Sequence, residues 1–438
     1  MISRRLLLGS AAAALGASLT CARSASALGR TRLGGKFAFS VPFAIRSLDP
    51  HDFSDPLAAL FGHALFDSLY VHDKRGLTLG LAEALPEREG TAVVVRLRGG
   101  LRTANGKALD ARDVVASLKR ARGRGAAAWL DPLGAPAVSS KDALAVVFPK
   151  ASPSSALLAL SSPLLAIVPR DFDARAPDGT GAFGATLKDK QLTLTRNANA
   201  AMGPAFLESL TVREAADLRD SLRDFEVGRG DLGWLGTGLF SGRPEAEKFD
   251  HGSVASFVLV SGATGPLPKP GELQKVVDSI PRAALAHLGL GPLPAGSAAA
   301  AYAGPPVELW VEPSAHLVEI ADAIATALSA KDHEITVKQG ARSDIAARRH
   351  RGEAFLSLHA IRPLGTQALP ATAHVALIED PSRTTLATTG ASPRDATGST
   401  RVAVVGELRV AGGKTPDLVL SAHARGGWDL ASSRLKRK

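Results

Sequence analysis

Residues able to carry chemistry are sparse and scattered in this 438-residue chain. Gly179-Thr180-Gly181-Ala182-Phe183-Gly184 fits G-x-G-x-x-G, the spacing that lets a glycine-rich turn bring backbone N–H groups up to a dinucleotide pyrophosphate. That use needs a strand just before, a helix just after and an acid about twenty residues on. Here the loop-like stretch from Pro169 to Pro177 precedes the glycines and the next element is a strand, so they are expected to serve a turn. Eleven histidines occur, with no pair at the i, i+4 spacing of a helical zinc site. His350 and His359 are separated by Arg351-Gly352, which reads as a helix end. No G-x-S-x-G elbow is present, and the pair Glu87 and Glu89 falls on a stretch that reads as exposed loop. Nothing in this set requires catalysis, and the chain is expected to use neither a cofactor nor a resident metal.

The first thirty residues read as a targeting segment. Ser3-Arg4-Arg5 precedes an apolar run from Leu6 to Leu19, and Ala25-Ser26-Ala27 offers a small-x-small cleavage site after Ala27. The run is too short and Ala-rich for a span of ~20 strongly apolar residues. Adjacent arginines after a serine fit twin-arginine export, with Leu6 where the usual Phe stands; an ordinary Sec leader is the alternative. Cys21 is the only cysteine, in a poor context for lipidation; cleavage after Ala27 leaves a mature chain without thiol or disulfide chemistry. Net charge is +10, three of the positive charges being the leader's Arg4, Arg5 and Arg23. The rest are scattered, without the aromatic interleaving of a nucleic-acid face. Arg434-Leu435-Lys436-Arg437-Lys438 is expected to be a solvated tail.

The elements that must position any site follow from periodicity. Ala92 to Arg98 is β-branched and then alternates apolar with basic, Gly99-Gly100 breaks the strand, and Asn105-Gly106 supplies a turn. Asp110 caps a helix with Val114, Val115 and Leu118 at spacings of three and four. Pro56 to Asp67 is helical, with Leu57, Leu60, Phe61, Ala64 and Leu65 on one face. Beyond the Gly/Pro-rich link Ser261 to Pro270, strands and helices alternate from Val307 to Leu358, which argues for a parallel sheet.

Several of these stretches, taken in order, resemble the family 5 solute-binding proteins, the extracytoplasmic receptors of peptide, dipeptide and nickel ABC importers. The fullest block comprises Leu97, Arg98, Gly100, Leu101, Asn105, Gly106, Leu109, Ala111, Asp113, Val114, Ser117, Leu118 and Arg120. Leu48-Asp49-Pro50, Phe66-Asp67-Ser68-Leu69, Gly80-Leu81-Ala82, Gly179-Thr180-Gly181-Ala182-Phe183 and Gly228-Arg229-Gly230-Asp231 match further steps. The resemblance implies an α/β, two-lobed, periplasmic-binding-protein type II-like fold with an extended first lobe. It implies a leader 1–27, lobe 1 over 28–260 with a subdomain at about 50–165, lobe 2 over 261–400, and a return to lobe 1 over 401–438. It also implies a periplasmic, monomeric receptor that closes on a peptide or other small-molecule ligand and engages an ABC-transporter permease.

By the same resemblance the ligand residues are expected at Arg46, at Trp234 with Gly236 and Thr237, and at Arg362 and Trp428. A tryptophan can also be plain core, and an arginine can be solvated. Two departures bear on the ligand. Family members that bind peptides place an aspartate after the last second-lobe strand to hold the free amine; this chain has His359-Ala360-Ile361-Arg362 there. The family's "fN" step before the hinge is Val260-Ser261 here. An anionic, apolar or metal-chelate ligand competes with a peptide on these grounds. So does a different class of protein, an envelope scaffold that has kept the fold and lost the pocket.

Overall fold

The computed structural model describes residues 33–436 apart from 53, 74–75, 235–242, 244, 262–263, 270, 292–301, 331, 363–400 and 424–426. The leader and Cys21 lie outside the described residues.

β1 (Lys36–Val41) buries Phe37, Phe39 and Val41 on one face. α1 (Pro56–Leu65) starts on Asp55, whose carboxylate accepts the N–H groups of Leu57 and Ala58, with Pro56 at the first helical position. Its stripe of Leu57, Leu60, Phe61 and Leu65 enters the core. A hairpin of β2 (Tyr70–Asp73) and β3 (Gly76–Leu79) then leads into the strand–turn–helix block.

That block folds as its pattern predicts. β4 (Glu87–Glu89) pairs with β5 (Ala92–Arg96), which buries Val93 and Val95 and turns Arg96 outward. Gly106 takes φ +83°, where an L side chain is strained. α2 (Ala111–Ala121) opens with a reciprocal cap: Asp110 accepts from the Asp113 N–H, and Asp113 accepts from the Asp110 N–H. It packs on β6 (Ala137–Val138) and β7 (Ala145–Phe148), which complete a four-stranded antiparallel sheet with β4 and β5. With α3 (Pro153–Ala159) these elements enclose a separate core running from Leu69 to Ile167.

The main sheet uses β8 (Phe183–Lys188), β9 (Gln191–Arg196) and β10 (Ser209–Glu214). After α4 (Leu218–Glu226), β11 (Leu232–Trp234) lies on the far side of β1, so β1 runs parallel between β10 and β11. β12 (Glu247–Ser261) is the long strand that leaves the first lobe. The second lobe holds α5 (Glu272–Asp278), β13 (Leu290–Gly291), β14 (Val307–Val311), α6 (Ala315–Leu328), β15 (Ile335–Gln339), α7 (Arg342–His350) and β16 (Leu356–Ile361). β14 is parallel to both β15 and β16, as the alternating pattern predicts. β17 (Val402–Lys414) returns antiparallel along β12, with bulges between Asp250 and Ser253, Ser253 and Ala255, and Phe257 and Val258. Among the described residues these strands form one 11-stranded sheet, ordered β15-β14-β16-β12-β17-β11-β1-β10-β9-β8, with β13 on β17. One hydrophobic core follows it through both lobes, from Phe37 to Leu430.

β18 (Leu418–Ala422) and β19 (Trp428–Leu435) close the chain as a hairpin. This corrects the expectation of a solvated basic tail at its start, Arg437 and Lys438 lying outside the described residues. Arg434 is in β19, and the Lys436 ammonium lies 2.9 Å from Glu247.

Candidate functional site

The face of α1 turned away from its apolar stripe carries Ala58, Ala59 and Gly62, small residues that leave space beside the helix. That space is a cavity of about 120 Å³. His63, Phe66 and Asp67 continue its wall, with Tyr70 and His72 from β2. Ser161, Pro163 and Ala166 come from the middle subdomain, Val254 from β12, Arg362 from the end of β16, and His423 from the β18–β19 turn. The first lobe, the middle subdomain, the crossing strand and the second lobe therefore meet around one hollow.

Its polar atoms are unevenly satisfied. Arg362 is 4% exposed; Nη1 donates to the Ala58 carbonyl at 3.4 Å, Nη2 donates to the Pro50 carbonyl, and Nε has no partner. Burial pushes this guanidinium down to about 10, against the pull of Asp55, Asp52 and Asp49. His63 Nε2 and His72 Nδ1 are likewise buried without partners. Burial, and then the neighbouring His423 ring with centroids 5.0 Å apart, push His63 down to about 3, so its imidazole is neutral. Asp67 accepts a hydrogen bond from the Thr180 hydroxyl at 2.7 Å, while burial raises its carboxyl toward the neutral form. Ser68 and Tyr70 spend their hydroxyl protons on the carbonyls of Ser162 and Ala84. Among the described residues no group of three or more His, Cys, Asp or Glu could hold a metal ion.

A second, smaller hollow of about 30 Å³ separates the loop after β1 from the second lobe. Ala44, Arg46 and Asp55 face Glu312, Ser314 and Arg342 across it. Arg342 ties the lobes together: it bonds Asp52 of the first lobe and lies 2.8 Å from Glu312. The His316 N–H donates to the Pro42 carbonyl at 3.2 Å, and the Phe43 ring packs on His316.

Beneath the cavity, Asp49 is the hub of a buried charge cluster. Its two oxygens take Arg120 at 2.8 and 2.6 Å, and Arg124 approaches one of them at 2.8 Å. Burial opposes ionisation of Asp49, but the hydrogen bonds and charges of these arginines hold its carboxyl below the usual range. Arg120 also donates to His51 Nδ1, which fixes Nε2–H as the donor to the Ala166 carbonyl. Asp49 belongs to the Leu-Asp-Pro step and Arg120 ends the long block, so two motifs recognised separately form a single ion pair.

The same is true of Thr180 and Asp67. The glycines around Thr180 make no phosphate cradle; they let the loop lie on the end of α1. A Cβ on Gly179 would stand 2.2 Å from the Leu65 carbonyl oxygen, and one on Gly181 would stand 2.5 Å from that of Ala64. Gly181→Ala is expected to cost about 1–3 kcal/mol by overpacking, measured by urea unfolding; an unchanged midpoint would contradict the close approach.

Of the expected ligand residues, Arg362 lines the cavity and Arg46 lies exposed in the smaller hollow, so the fold does not bring them into one pocket. The Trp234 backbone is in β11, in register with Gly412 of β17. Gly236 and Thr237 lie outside the described residues. Trp428 is corrected: at 1% exposure it meets Phe39 edge-on at 5.2 Å and Phe61 at 6.1 Å, as core and not as a ligand platform. His63, His72 and His423 escaped the reading because residues so far apart in sequence show no spacing signal. The small residues at 58, 59 and 62 were the available clue.

Residues 76–238 match the family model described as bacterial extracellular solute-binding proteins, family 5 Middle. No curated protein matches the chain. Among solved structures, NikA from Brucella suis in complex with Fe(III)-EDTA is 18% identical, covering 92% of this chain and 100% of its own, with a TM-score of 0.61. AgaA from A. tumefaciens R10 with agropinic acid is 15% identical over 92% of this chain and 99% of its own, with a TM-score of 0.68. AppA from Bacillus subtilis with a nonapeptide is 12% identical over 93% and 100%, with a TM-score of 0.67. No helix among the described residues is long and apolar enough to cross a membrane. The chain has the mixed α/β fold of these solved solute-binding proteins, and its residues 76–238 match the family 5 Middle model.

Proposed function

We propose that the chain is an extracytoplasmic solute-binding receptor of an ABC importer, enclosing a small solute between its lobes by hinge closure. The observation that carries this reading is the cavity beside α1, walled at once by the first lobe, the middle subdomain, the crossing strand and Arg362 at the end of β16. A hollow of about 120 Å³ where those parts meet is the place a small solute would occupy. The leader with Arg4-Arg5 and Ala25-Ser26-Ala27 supports export, by the twin-arginine route in our reading, and the receptor fold supports an importer permease as partner. The related structures hold a nonapeptide, agropinic acid and Fe(III)-EDTA, so the fold alone favours none of them.

A second reading, an envelope scaffold with no ligand, draws on a different observation. One core runs through both lobes, and Arg342 bonds Asp52 across them, which restrains opening. Native mass spectrometry of protein purified from the periplasm separates the two. The receptor is expected to carry a co-purified small molecule that denaturation releases. A bare polypeptide mass, together with no thermal shift from acids, peptides or chelates, would leave the scaffold reading standing.

A further inference from the structure

Four consecutive residues, Asp49-Pro50-His51-Asp52, bond two different parts of the molecule in alternation. Asp49 and His51 face the middle subdomain. Asp49 accepts from Arg120 and Arg124, and the His51 ring donates to the Ala166 carbonyl at 2.8 Å. Pro50 and Asp52 face the second lobe. The Pro50 carbonyl accepts Arg362 Nη2, and Asp52 Oδ2 accepts Arg342 Nη1.

The two sides differ in how easily they part. Asp49 and His51 are buried, and their bonds are backed by the second Arg120 contact at 2.6 Å. Toward the second lobe the side chains of Asp52 and Arg342 are each 24% exposed, within reach of water if they separate. Both ends of that bond are nevertheless set in advance. Asp52 Oδ1 accepts the Ser54 N–H and hydroxyl, each at 2.9 Å, which leaves Oδ2 for the second lobe. Glu312, just after β14, takes Arg342 Nε at 2.8 Å and Nη2 at 3.1 Å, which leaves Nη1 to reach across. A charge-assisted bond between groups so held loses little freedom when it forms. The seam also borders the hollow: Pro50 and the Arg362 that it binds both line the cavity beside α1.

We propose that residues 49–52 form a clasp, fixed to the middle subdomain, whose charged bond from Asp52 to Arg342 holds the second lobe down and governs access to the cavity beside α1. The clasp rests on the hinge motion of the receptor reading.

The rate at which DTNB labels a thiol in the cavity wall tests this. Ala58 lines the hollow and is buried, and Cys21 is the only cysteine. The full chain carrying Cys21→Ser and Ala58→Cys therefore has one thiol, which reacts when the lobes part or the chain unfolds. A companion chain with Cys21→Ser and Ala156→Cys, in the core of the middle subdomain, reports unfolding alone. Asp52→Asn keeps an acceptor for Ser54 and removes the charge. It is expected to speed labelling at position 58 about tenfold, as loss of a charged hydrogen bond should, and to leave position 156 unchanged. Arg342→Gln should do the same, and the double variant should label no faster than Arg342→Gln alone. Arg46→Gln, an exposed arginine outside the clasp, should change neither rate. Equal acceleration at both positions would mean a loosened fold and overturns the clasp, as do additive effects of the two substitutions. If position 58 labels well ahead of position 156 but Asp52→Asn leaves its rate unchanged, the clasp is overturned and the hinge is spared. If position 58 never outpaces position 156 in any variant, the clasp falls together with the hinge closure of the receptor reading.

Discussion

Asp49→Ala is expected to lower the stability of the fold by about 3–5 kcal/mol, the usual cost of removing one partner from a buried ion pair. The Asp49 side chain is 6% exposed and that of Arg120 24%, so the arginine left behind has little water to turn to. The deletion also strips the acceptor from the His51 N–H, at 3.0 Å. Arg124 is half exposed at 50%, and Arg124→Ala should cost under about 1 kcal/mol. Urea unfolding of the two variants beside Arg46→Ala, an exposed control expected within about 0.5 kcal/mol of the parent, checks the ordering. Equal midpoints for all three would mean that the cluster holds nothing together.

Acid should destabilise the chain well before its carboxylates are consumed. Burial pushes His51 and His316 down to about 4 and His63 to about 3, whereas in the unfolded chain all three take up protons near pH 6.5. The unfolded form binds more protons between those limits, so stability is fully present above pH 6.5 and drains away as the pH falls toward 4. Each histidine contributes about 1.4 kcal/mol per pH unit in that window. Asp55 works in the opposite sense. Burial raises it to about 6, so its folded form keeps a proton that the unfolded form has lost, and its penalty is relieved as the pH falls from 6 toward 4. His359, held well below its usual range by burial, adds to the loss, while Asp67, Asp231 and Glu319, raised by burial, add to the relief at lower pH. The loss is therefore clearest between pH 7 and 6, where the histidines titrate ahead of the carboxyls. Urea midpoints at pH 7, 6 and 5 measure it. His316→Gln keeps a donor for the Leu288 carbonyl, which the ring meets at 2.8 Å, and should flatten that slope. A midpoint that stays level from pH 7 to pH 5 would refute the account.

Local features were legible and relational ones were not. The Val93 and Val95 alternation, the Gly106 turn and the Asp110 cap depend on neighbours within a few residues, so their types report their conformation directly. The Leu-Asp-Pro step could be seen as a motif, but its partner Arg120 lies 71 positions away and no local pattern announces the bond. α1 shows the same division. Its apolar stripe could be read as core, whereas the hollow on its other side depends on β12, Arg362 and His423 standing opposite. Trp428 was assigned to the cleft because β19 went unrecognised. Its Trp-Asp-Leu-Ala-Ser-Ser-Arg-Leu run alternates weakly, with serines at inward positions, although Ser433 is fully buried.

The order of strands across the main sheet has a consequence for the chain during its synthesis. β1, the first of the described strands, has both its neighbours far downstream: β10 at Ser209–Glu214 and β11 at Leu232–Trp234. β12 waits in turn for β16 at Leu356–Ile361 and β17 at Val402–Lys414. Pairings of such long sequence separation form late because the intervening chain must first surrender its freedom. β1 is therefore made long before it can be locked into the sheet. Its Phe39 is not covered until Trp428 has been added, so a nascent chain shows an open, unfinished beginning for almost the whole time it is being made.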